Sequence, residues 1–382
     1  MTVYLDNNAT TPLDEDVREA MLPFLLDQFG NPSSIHQKGR IARAAIDTAR
    51  GQVASLVNAH PSQVVFTSGG TEANNLALKG ATARRPPGRM AVSAIEHSSV
   101  LKTAQSMARY GWTVELIDVD RNGTVTAGAL EQALSGNPDL VSVMWANNET
   151  GVVQDIASLA ARVRQRGAIM HTDAVQAAGK TEIDFASAGV HMLSLSAHKI
   201  YGPKGVGALV VDKALEIEPL LHGGGHEMGY RSGTENVAGI VGFGKAAELA
   251  RHELDQRRHY LQSLRDYLEL QLGRLPEVVI LGGTAQRLSN TVPVAVPGIA
   301  GETMLMYLDE HGIAVSSGSA CSSARTDTSH VLLAMKIDAA LAGSSLRISL
   351  GKYTTIADID RLIAALQALT EQRRVFGASV MR

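Results

Sequence analysis

A pattern of short apolar segments, each followed at once by polar or glycine-rich residues, constrains the fold of this chain more than any other feature. The segments are candidate β-strands. They cover residues 64–66, 90–92, 140–145, 168–171, 192–195 and 205–211. Helical patterns lie between most of them. Strands that alternate with helices in this way form mostly parallel sheets with helices packed on the faces, so we expect an α/β fold.

Polar residues follow the carboxyl ends of several of these segments. They are Thr71, His97, Asn148, Asp173 and Lys199. The carboxyl ends of parallel strands meet at one edge of a sheet, and α/β proteins bind their ligands at that edge. The sequence therefore predicts that these residues converge on one crevice.

Lys199 ends the segment Ser196-Ala197-His198-Lys199, which directly follows a predicted strand. A buried cation without a partner is costly, so a lysine at this edge is unusual if its role is only structural. A lysine that is partly removed from water loses its proton more easily and can form an imine with a carbonyl compound. A surface lysine that happens to follow a strand is the alternative interpretation.

Two glycine-rich stretches are candidate anion-binding loops. In residues 67–72 a strand, a glycine turn and the start of a helix come together, which exposes backbone N–H groups and a hydroxyl. Residues 222–236 are too rich in glycine for a helix. His222 and His226 therefore do not share a helix face, and this loop fits an anion better than zinc. We expect no metal site.

A lysine, an anion cradle and a carboxylate in one crevice are the protein groups that pyridoxal 5′-phosphate requires. Asp173 would pair with the pyridine nitrogen, and His97 would stack on the ring face. The phenolic oxygen would accept a hydrogen bond from either Gln176 or Asn148. The residues expected at the phosphate are Thr71, Ser196 and His198. The same set would serve any amino-acid chemistry that this cofactor performs.

The C-terminal third of the chain predicts a second, smaller domain. We expect a large domain at 16–255 and a small α+β domain made of 1–15 and 256–382, with a long helical pattern at 243–275 as the connector. Candidate strands of the small domain lie near 278–281, 291–296, 313–316 and 346–350. Its candidate helices lie around 301–311, 329–335 and 356–374.

Two residues of this second domain are candidate functional groups. Cys321, the single cysteine, lies among small polar residues at 316–325. A lone cysteine is usually a small buried hydrophobe. These neighbours cannot anchor a core, so we expect an exposed, mobile loop and a nucleophilic thiol. Arg347 lies in a predicted strand, where it forms either a surface salt bridge or a bidentate clamp on a substrate carboxylate.

Composition argues against several classes of protein. The net charge of −3 contains no block of like charge, which speaks against a nucleic-acid or membrane surface. No apolar run approaches the roughly 18 residues of a membrane helix. The start, MTVYLDNN, lacks the basic and apolar regions of a secretory signal. One cysteine allows no intrachain disulfide, and we expect a cytoplasmic protein.

A set of motifs spread along essentially the whole chain is highly specific when taken together. They are YLDNNATTP, FGNPSSIH, FTSGGTEANN, AIEHSSV, ANNETGVVQDI, HTDAVQAAGK, SAHKIYGPKGVGAL, HGGGHE, RSGTENV, SSGSACSSA and SLRISLG. With these motifs the chain resembles the cysteine desulfurases of the NifS/IscS type, in the class V aminotransferase group. The resemblance implies the PLP-dependent transferase fold, which is aspartate aminotransferase-like and of fold type I.

The resemblance also implies roles for particular residues. Lys199, Cys321 and His97 are the implied catalytic residues, with Cys321 taking the sulfur. The implied cofactor contacts are Gly70, Thr71, His97, Asn148, Asp173, Gln176, Ser196, His198, Lys199 and Thr234. Thr234 is similar to a residue that reaches the phosphate of the neighbouring subunit, which implies a homodimer. The expected contacts of the substrate carboxylate are Arg347, Asn31 and Asn148. Met228 stands where the family commonly has arginine.

The resemblance therefore implies a specific activity. We expect an enzyme that takes sulfur from L-cysteine, leaves L-alanine and a persulfide on Cys321, and donates the sulfur to an acceptor protein such as an iron–sulfur scaffold. Two alternatives stay open. One is another enzyme with the same cofactor, either an aminotransferase or a selenocysteine lyase. The other is a non-catalytic partner in sulfur assembly.

Overall fold

The structure is a computed structural model that describes residues 2–317 and 328–380, with side chains described up to residue 371. Strands in the described part of the chain are β1 Val3–Tyr4, β2 Val64–Thr67, β3 Arg89–Ser93, β4 Thr113–Ile117, β5 Leu140–Ser142, β6 Ile169–Asp173, β7 Met192–Ser196, β8 Gly207–Val211, β9 Val279–Ile280, β10 Thr291–Ala295, β11 Ile313–Ala314 and β12 Ser345–Ser349.

The helices begin and end as follows. They are α1 Glu15–Leu26, α2 Gln37–Leu56, α3 Gly70–Asn75, α4 Ser98–Met107, α5 Ala127–Ser135, α6 Ile156–Gln165, α7 Phe185–Ala188, α8 Val237–His252, α9 Leu254–Leu272, α10 Gly301–Glu310, α11 His330–Ala334, α12 Ala339–Ala342 and α13 Ile356–Val380. Helix α3 continues into a turn of π-helix, Leu76–Gly80, and β7 continues into a 3₁₀ turn, Ala197–Lys199.

The central sheet has the strand order β2-β8-β7-β6-β5-β3-β4. Every pair from β7 to β4 is parallel, and β8 runs antiparallel to both of its neighbours. All residues of β6 and β7 are buried, as expected of strands covered by helices on both faces. The predicted α/β fold with a mostly parallel sheet is confirmed.

The sequence patterns located the inner strands of this sheet better than its edge. Strand β4 was not predicted, because it lies at the sheet edge, where Leu116 is exposed and the alternation of apolar and polar residues is weak. The predicted connector helix at 243–275 is in fact two helices, α8 and α9, which are separated at Glu253. The prediction of one continuous helix was wrong because both helices carry the same apolar spacing.

Two smaller sheets, of three and two strands, lie outside the central sheet in the described chain. Strand β10 pairs antiparallel with β12 and β9, and β1 pairs in parallel with β11. The apolar side chains of these strands pack against α9, α10 and α13 in one buried cluster, which includes Leu5, Leu268, Met304 and Leu362. This cluster therefore joins the first residues of the chain to its C-terminal part.

The core of the central sheet also takes residues from the C-terminal part of the chain. Leu281, Val331, Met335 and Ala342 belong to the same buried cluster as the strands of the central sheet. These side chains lie inside the predicted small domain by sequence but pack with the large one. The division into 16–255 and 1–15 with 256–382 therefore stays a proposal, and the segment around α11 and α12 packs with the core of the central sheet.

Candidate active site

A cavity of about 390 Å³ opens at the carboxyl edge of the central sheet. It brings together most of the site residues that the sequence predicted. Those that line it are Gly70, Thr71, His97, Asn148, Asp173, Gln176, Ser196, His198, Lys199 and Arg347. The predicted convergence follows from topology, because β2, β3, β5, β6 and β7 all point their carboxyl ends to this edge.

Lys199 lies in the 3₁₀ turn after β7, where the strand delivers it to the cavity wall. Its Nζ donates to the backbone oxygens of Asn8, at 2.6 Å, and Ala9, at 2.7 Å. Both acceptors belong to the N-terminal segment that follows β1. The amine is thus oriented by residues far away in sequence.

Asp173 is the last residue of β6 and is almost completely buried. Its Oδ2 accepts from Asn74 Nδ2 at 2.7 Å, and its Oδ1 accepts from the Val175 backbone N–H at 2.9 Å. Each carboxylate oxygen has two lone pairs, so both retain capacity for one further donor. Asn74 also donates to Ser99 Oγ, at 2.8 Å, which in turn lies 2.7 Å from His97 Nδ1.

His97 is held in place as the N-terminal cap of α4. Its Nδ1 accepts from the Ser99 backbone N–H at 3.2 Å. A histidine that caps a helix with Nδ1 leaves its other ring nitrogen, Nε2, on the far side of the ring. The cap therefore fixes the plane of the imidazole at the cavity wall.

The end of the cavity near α3 is built for close approach. A Cβ on Gly70 would lie 2.8 Å from Val175 Cγ2, so only glycine lets α3 come this near to the turn after β6. His198 Nδ1 lies 3.1 Å from Thr10 Oγ1. Burial, with added repulsion from Lys199, lowers the pKa of His198 to about 4, so the ring is neutral at pH 7.

Arg347, in β12, forms the wall opposite the sheet edge. Its NH2 group is 2.6 Å from Asp6 Oδ1, and its NH1 group donates to the Asn148 backbone oxygen at 3.1 Å. Its Nε is buried without a hydrogen-bond partner among the described residues. The surface salt bridge considered from sequence is excluded, because the residue is 3% exposed.

Two buried carboxyl groups beside the cavity carry raised pKa values. Burial raises the pKa of Glu149 to about 7, although Ser329, Arg347 and His97 each oppose the shift. Burial, and then repulsion from Asp173, raises the pKa of Glu96 well above its usual range. The Ser329 hydroxyl donates to Glu149 Oε2 at 2.5 Å, which ties the start of α11 to the site.

Three predicted residues are not placed at the cavity. Asn31 is exposed and its Oδ1 accepts from the Ser33 backbone N–H at 2.9 Å. Thr234 is exposed in the glycine-rich loop. Cys321 and residues 318–325 of the predicted mobile loop lie outside the described residues, whereas Ser316 at the start of that loop is buried and not exposed as expected. The roles of these residues stay predictions.

Sequence reasoning missed several residues that hold the site together. Asn8 accepts from Lys199 through its backbone, Asn74 and Ser99 connect Asp173 to His97, and Asp6 pairs with Arg347. The only signal was the accumulation of asparagines in polar turns, in YLDNNATTP and TEANN. Such turns are too common to identify a site by themselves.

The lining residues fit a flat, anionic ligand. Asp173 can accept from a protonated ring nitrogen, and Lys199 presents an amine on the same wall. Arg347 Nε and Asn74 Oδ1 are buried polar atoms without a partner in the described chain, and both residues line the cavity. A buried polar atom without a hydrogen bond is costly, and two of them in residues that line one cavity are consistent with a polar ligand there.

Comparisons with known proteins identify the family. Residues 3–362 match the family described as aminotransferase class-V, and the chain belongs to this family. A cysteine desulfurase of Nostoc sp. is 45% identical over 374 residues, which are 97% of this chain and 94% of that protein. The cysteine desulfurase IscS of Dictyoglomus turgidum is 44% identical over 375 residues, 97% of this chain and 95% of that protein.

A solved structure agrees with these relatives. A NifS-like protein has a TM-score of 0.91 and 37% identity, covering 97% of this chain and 100% of its own. Within the aminotransferase class-V family, the chain belongs with the cysteine desulfurases of the NifS/IscS type, as the motifs predicted.

The described ranges contain no cluster of three or more His, Cys, Asp and Glu side chains that could hold a metal ion. In the same ranges, none of the helices combines the length and the apolar character needed to cross a membrane.

Proposed function

We propose that this protein is a cysteine desulfurase that uses pyridoxal 5′-phosphate to convert L-cysteine to L-alanine and a persulfide on Cys321. The observation that carries the proposal is the placement of Lys199, Asp173 and Arg347 around one cavity of about 390 Å³. The amine would react with the cofactor aldehyde, and the buried carboxylate would pair with the pyridine nitrogen. The guanidinium would bind the substrate carboxylate.

The cofactor would be held by residues of several strand ends. Lys199 would bind it covalently, Asp173 would pair with its ring nitrogen, and His97 would lie against the ring. Its other contacts would be Gly70, Thr71, Asn148, Gln176, Ser196 and His198, with Thr234 of the partner subunit at the phosphate. When bound, the cofactor withdraws electrons from the substrate and stabilises negative charge at the Cα atom.

The side chains of this protein would perform the proton transfers. Lys199 Nζ would act as the base for the proton on the substrate Cα. The backbone oxygens of Asn8 and Ala9 keep this amine at the cavity wall. His97, fixed by its cap on α4, would take the proton of the substrate thiol.

Sulfur transfer requires a nucleophile, and Cys321 is the single cysteine of the chain. Its thiolate attacks the substrate sulfur, so that an S–S bond forms while the bond between sulfur and the substrate Cβ breaks. The electron pair of that bond stays with the substrate carbon, which is protonated to give L-alanine. No outside oxidant or reductant is needed for this step.

Substrate binding would depend mainly on Arg347. Its guanidinium would donate hydrogen bonds to the substrate carboxylate. The Nε of this guanidinium has no partner among the described residues. Asn148, and Asn31 as the sequence resemblance implies, would supply further contacts.

The partners follow from the same proposal. The protein would act as a homodimer in the cytoplasm, where its thiol stays reduced, and would pass sulfur to an acceptor protein. The name IscS of one relative favours an iron–sulfur scaffold as that acceptor.

The test uses purified protein with pyridoxal 5′-phosphate and L-cysteine. Wild type should release equal amounts of alanine and, with a reductant, sulfide. After borohydride reduction, wild type should carry covalently attached cofactor, and Lys199→Ala should carry none. Cys321→Ala should retain the cofactor but release less than about a hundredth of the sulfide, since it lacks the acceptor.

Specific outcomes would refute the proposal. Retention of covalent cofactor in Lys199→Ala would remove Lys199 from its role, and normal sulfide release by Cys321→Ala would do the same for the thiol. Pyruvate formation, or activity with selenocysteine alone, would indicate the other enzymes of this cofactor.

A further inference from the structure

Lys180 lies in the turn after β6, behind the wall of the cavity, and none of the functional roles above includes it. It is partly buried, and it lines a second small cavity of about 20 Å³ on the other side of Lys199. Its Nζ donates to Gln176 Oε1 at 2.8 Å and to Asn8 Oδ1 at 3.1 Å. Two side-chain amides thus converge on this one amine.

The orientation of both amides follows from their other contacts. Gln176 lies 2.9 Å from the Asn8 backbone oxygen, and Asn8 lies 3.2 Å from the Asn148 backbone oxygen. A carbonyl oxygen can only accept, so in each case the amide nitrogen must face it. Both amide oxygens must therefore face the other way, toward Lys180.

Lys180 supplies the donor that this arrangement requires. Asn8 Oδ1 also accepts from Asn290 Nδ2, at 3.0 Å, so it has a second donor besides Lys180. For Gln176 Oε1, the donor among the described residues is Lys180 Nζ. Without that donor, the oxygen of Gln176 would be buried and unsatisfied. Rotating the amide by half a turn would not help, since its oxygen would then face the Asn8 carbonyl.

The consequence reaches the reactive amine. Gln176 Nε2 and Lys199 Nζ donate to the same atom, the Asn8 backbone oxygen. The amide nitrogen of Gln176 is therefore held beside the amine of Lys199, with one of its two N–H groups still available to a ligand in the cavity. This placement depends on the orientation that Lys180 maintains.

We propose that Lys180 is a positioning residue of the active site, which locks the side-chain amide of Gln176 so that its N–H group points to the cofactor beside Lys199. The proposal rests on the proposed function for the identity of the cofactor. The contact between Lys180 and Gln176 does not depend on it.

The first experiment tests the contact in protein without cofactor. Thermal unfolding is compared for wild type, Lys180→Met, Gln176→Leu and the double variant. Gln176→Leu should lower the melting temperature by about 2 °C or more in wild type, because the buried hydrogen bond between the two side chains is lost. In the Lys180→Met background the same change should cost less than about half as much. Equal costs in both backgrounds would overturn the proposal.

The second experiment measures binding of pyridoxal 5′-phosphate by absorbance and its retention on dialysis. Lys180→Met should weaken binding about tenfold, and Gln176→Leu by a similar factor. The double variant should bind the cofactor at most about twofold more weakly than the weaker-binding of the two single variants. If the two single-variant losses of affinity multiply in the double variant, Lys180 does not act through Gln176. Wild-type affinity in Lys180→Met would show the same.

Two further variants separate position from charge. Lys180→Arg keeps donors at the same place and should restore most of the affinity. Lys213→Met makes the same substitution at an exposed lysine and should bind the cofactor like wild type. If Lys213→Met binds the cofactor as weakly as Lys180→Met does, the loss of affinity comes from net charge, and the positioning role of Lys180 is wrong.

The outcomes also distinguish this inference from the proposed function. If wild type takes up no pyridoxal phosphate and makes no alanine from cysteine, the proposed function fails, and the unfolding experiment still decides the contact. If wild type is active and Lys180→Met matches it in both experiments, only the role of Lys180 fails.

Discussion

Two buried arginines, Arg50 in α2 and Arg347 in β12, each pair with a carboxylate, but the two pairs are built differently. Arg50 contacts both oxygens of Glu227, at 2.6 and 2.8 Å, and also donates to the Val64 backbone oxygen. Its guanidinium lies 4.7 Å from the ring centre of Phe66. Arg347 contacts one oxygen of Asp6 and the Asn148 backbone oxygen, and its buried Nε has no hydrogen-bond partner among the described residues.

The difference indicates which pair is structural and which serves a ligand. Both terminal nitrogens of the Arg50 guanidinium donate to the protein, and Glu227 also accepts from the Phe66 backbone N–H. This pair fixes the glycine-rich loop, where Glu227 and Met228 adopt left-handed φ values of 48° and 57°. Arg347 instead lines the cavity, and its Nε has no partner among the described residues.

The largest expected effect is that of Arg50→Met on stability. It leaves Glu227 as a buried, unpaired carboxylate, and such changes cost about 3–5 kcal/mol. Urea unfolding measures it, and adding Glu227→Gln should recover part of the loss. Arg18→Ala, which breaks an exposed ion pair with Glu15, is the control and should leave the midpoint unchanged. An Arg50 variant as stable as the Arg18 control would contradict the comparison.

A smaller effect, on binding and not on folding, is expected for Arg347→Lys. Lysine keeps the charge near Asp6 but loses the planar fork, so KM for L-cysteine should rise about tenfold or more. The cofactor absorbance should be retained. Arg50→Lys provides the matched control, with altered stability and an unchanged KM. If Arg347→Lys alters stability alone, the two arginines do not differ in the way proposed.

The smallest effect concerns pH and the neighbour of Arg347, Glu149. Its folded pKa of about 7 lies above the ordinary value of 4.5, so between these values the folded chain holds a proton that the unfolded chain has lost. This contribution to stability is complete at low pH and is lost as the pH rises from 4.5 to 7. Glu149→Gln should flatten the slope in that window.

Arg347 and Arg50 should differ in this experiment too. Arg347 opposes the raised pKa of Glu149 by its charge. Arg347→Met should therefore move the loss of stability to higher pH, while Arg50→Met should leave its position unchanged. Urea midpoints at closely spaced pH values measure both, and an identical shift in the two variants would refute the assignment.

Several features of the site could be predicted from the sequence because they depend on neighbours in the chain. Lys199 and His97 follow strands whose apolar runs and turn residues are local signals, so their arrival at one sheet edge was predictable. Asp173 was expected just beyond its strand and proves to be the last residue of β6. That difference leaves it at the same edge.

Only the tertiary structure decided how those residues are held. Asn8 and Lys199 are 191 residues apart, and Asp6 and Arg347 are 341 apart, so no periodicity or turn signal connects them. The same holds for the amide of Gln176, since either orientation is compatible with the sequence until Asn8 and Lys180 approach it. Local patterns determine where a strand ends, whereas hydrogen bonds between distant segments form only once the chain has folded.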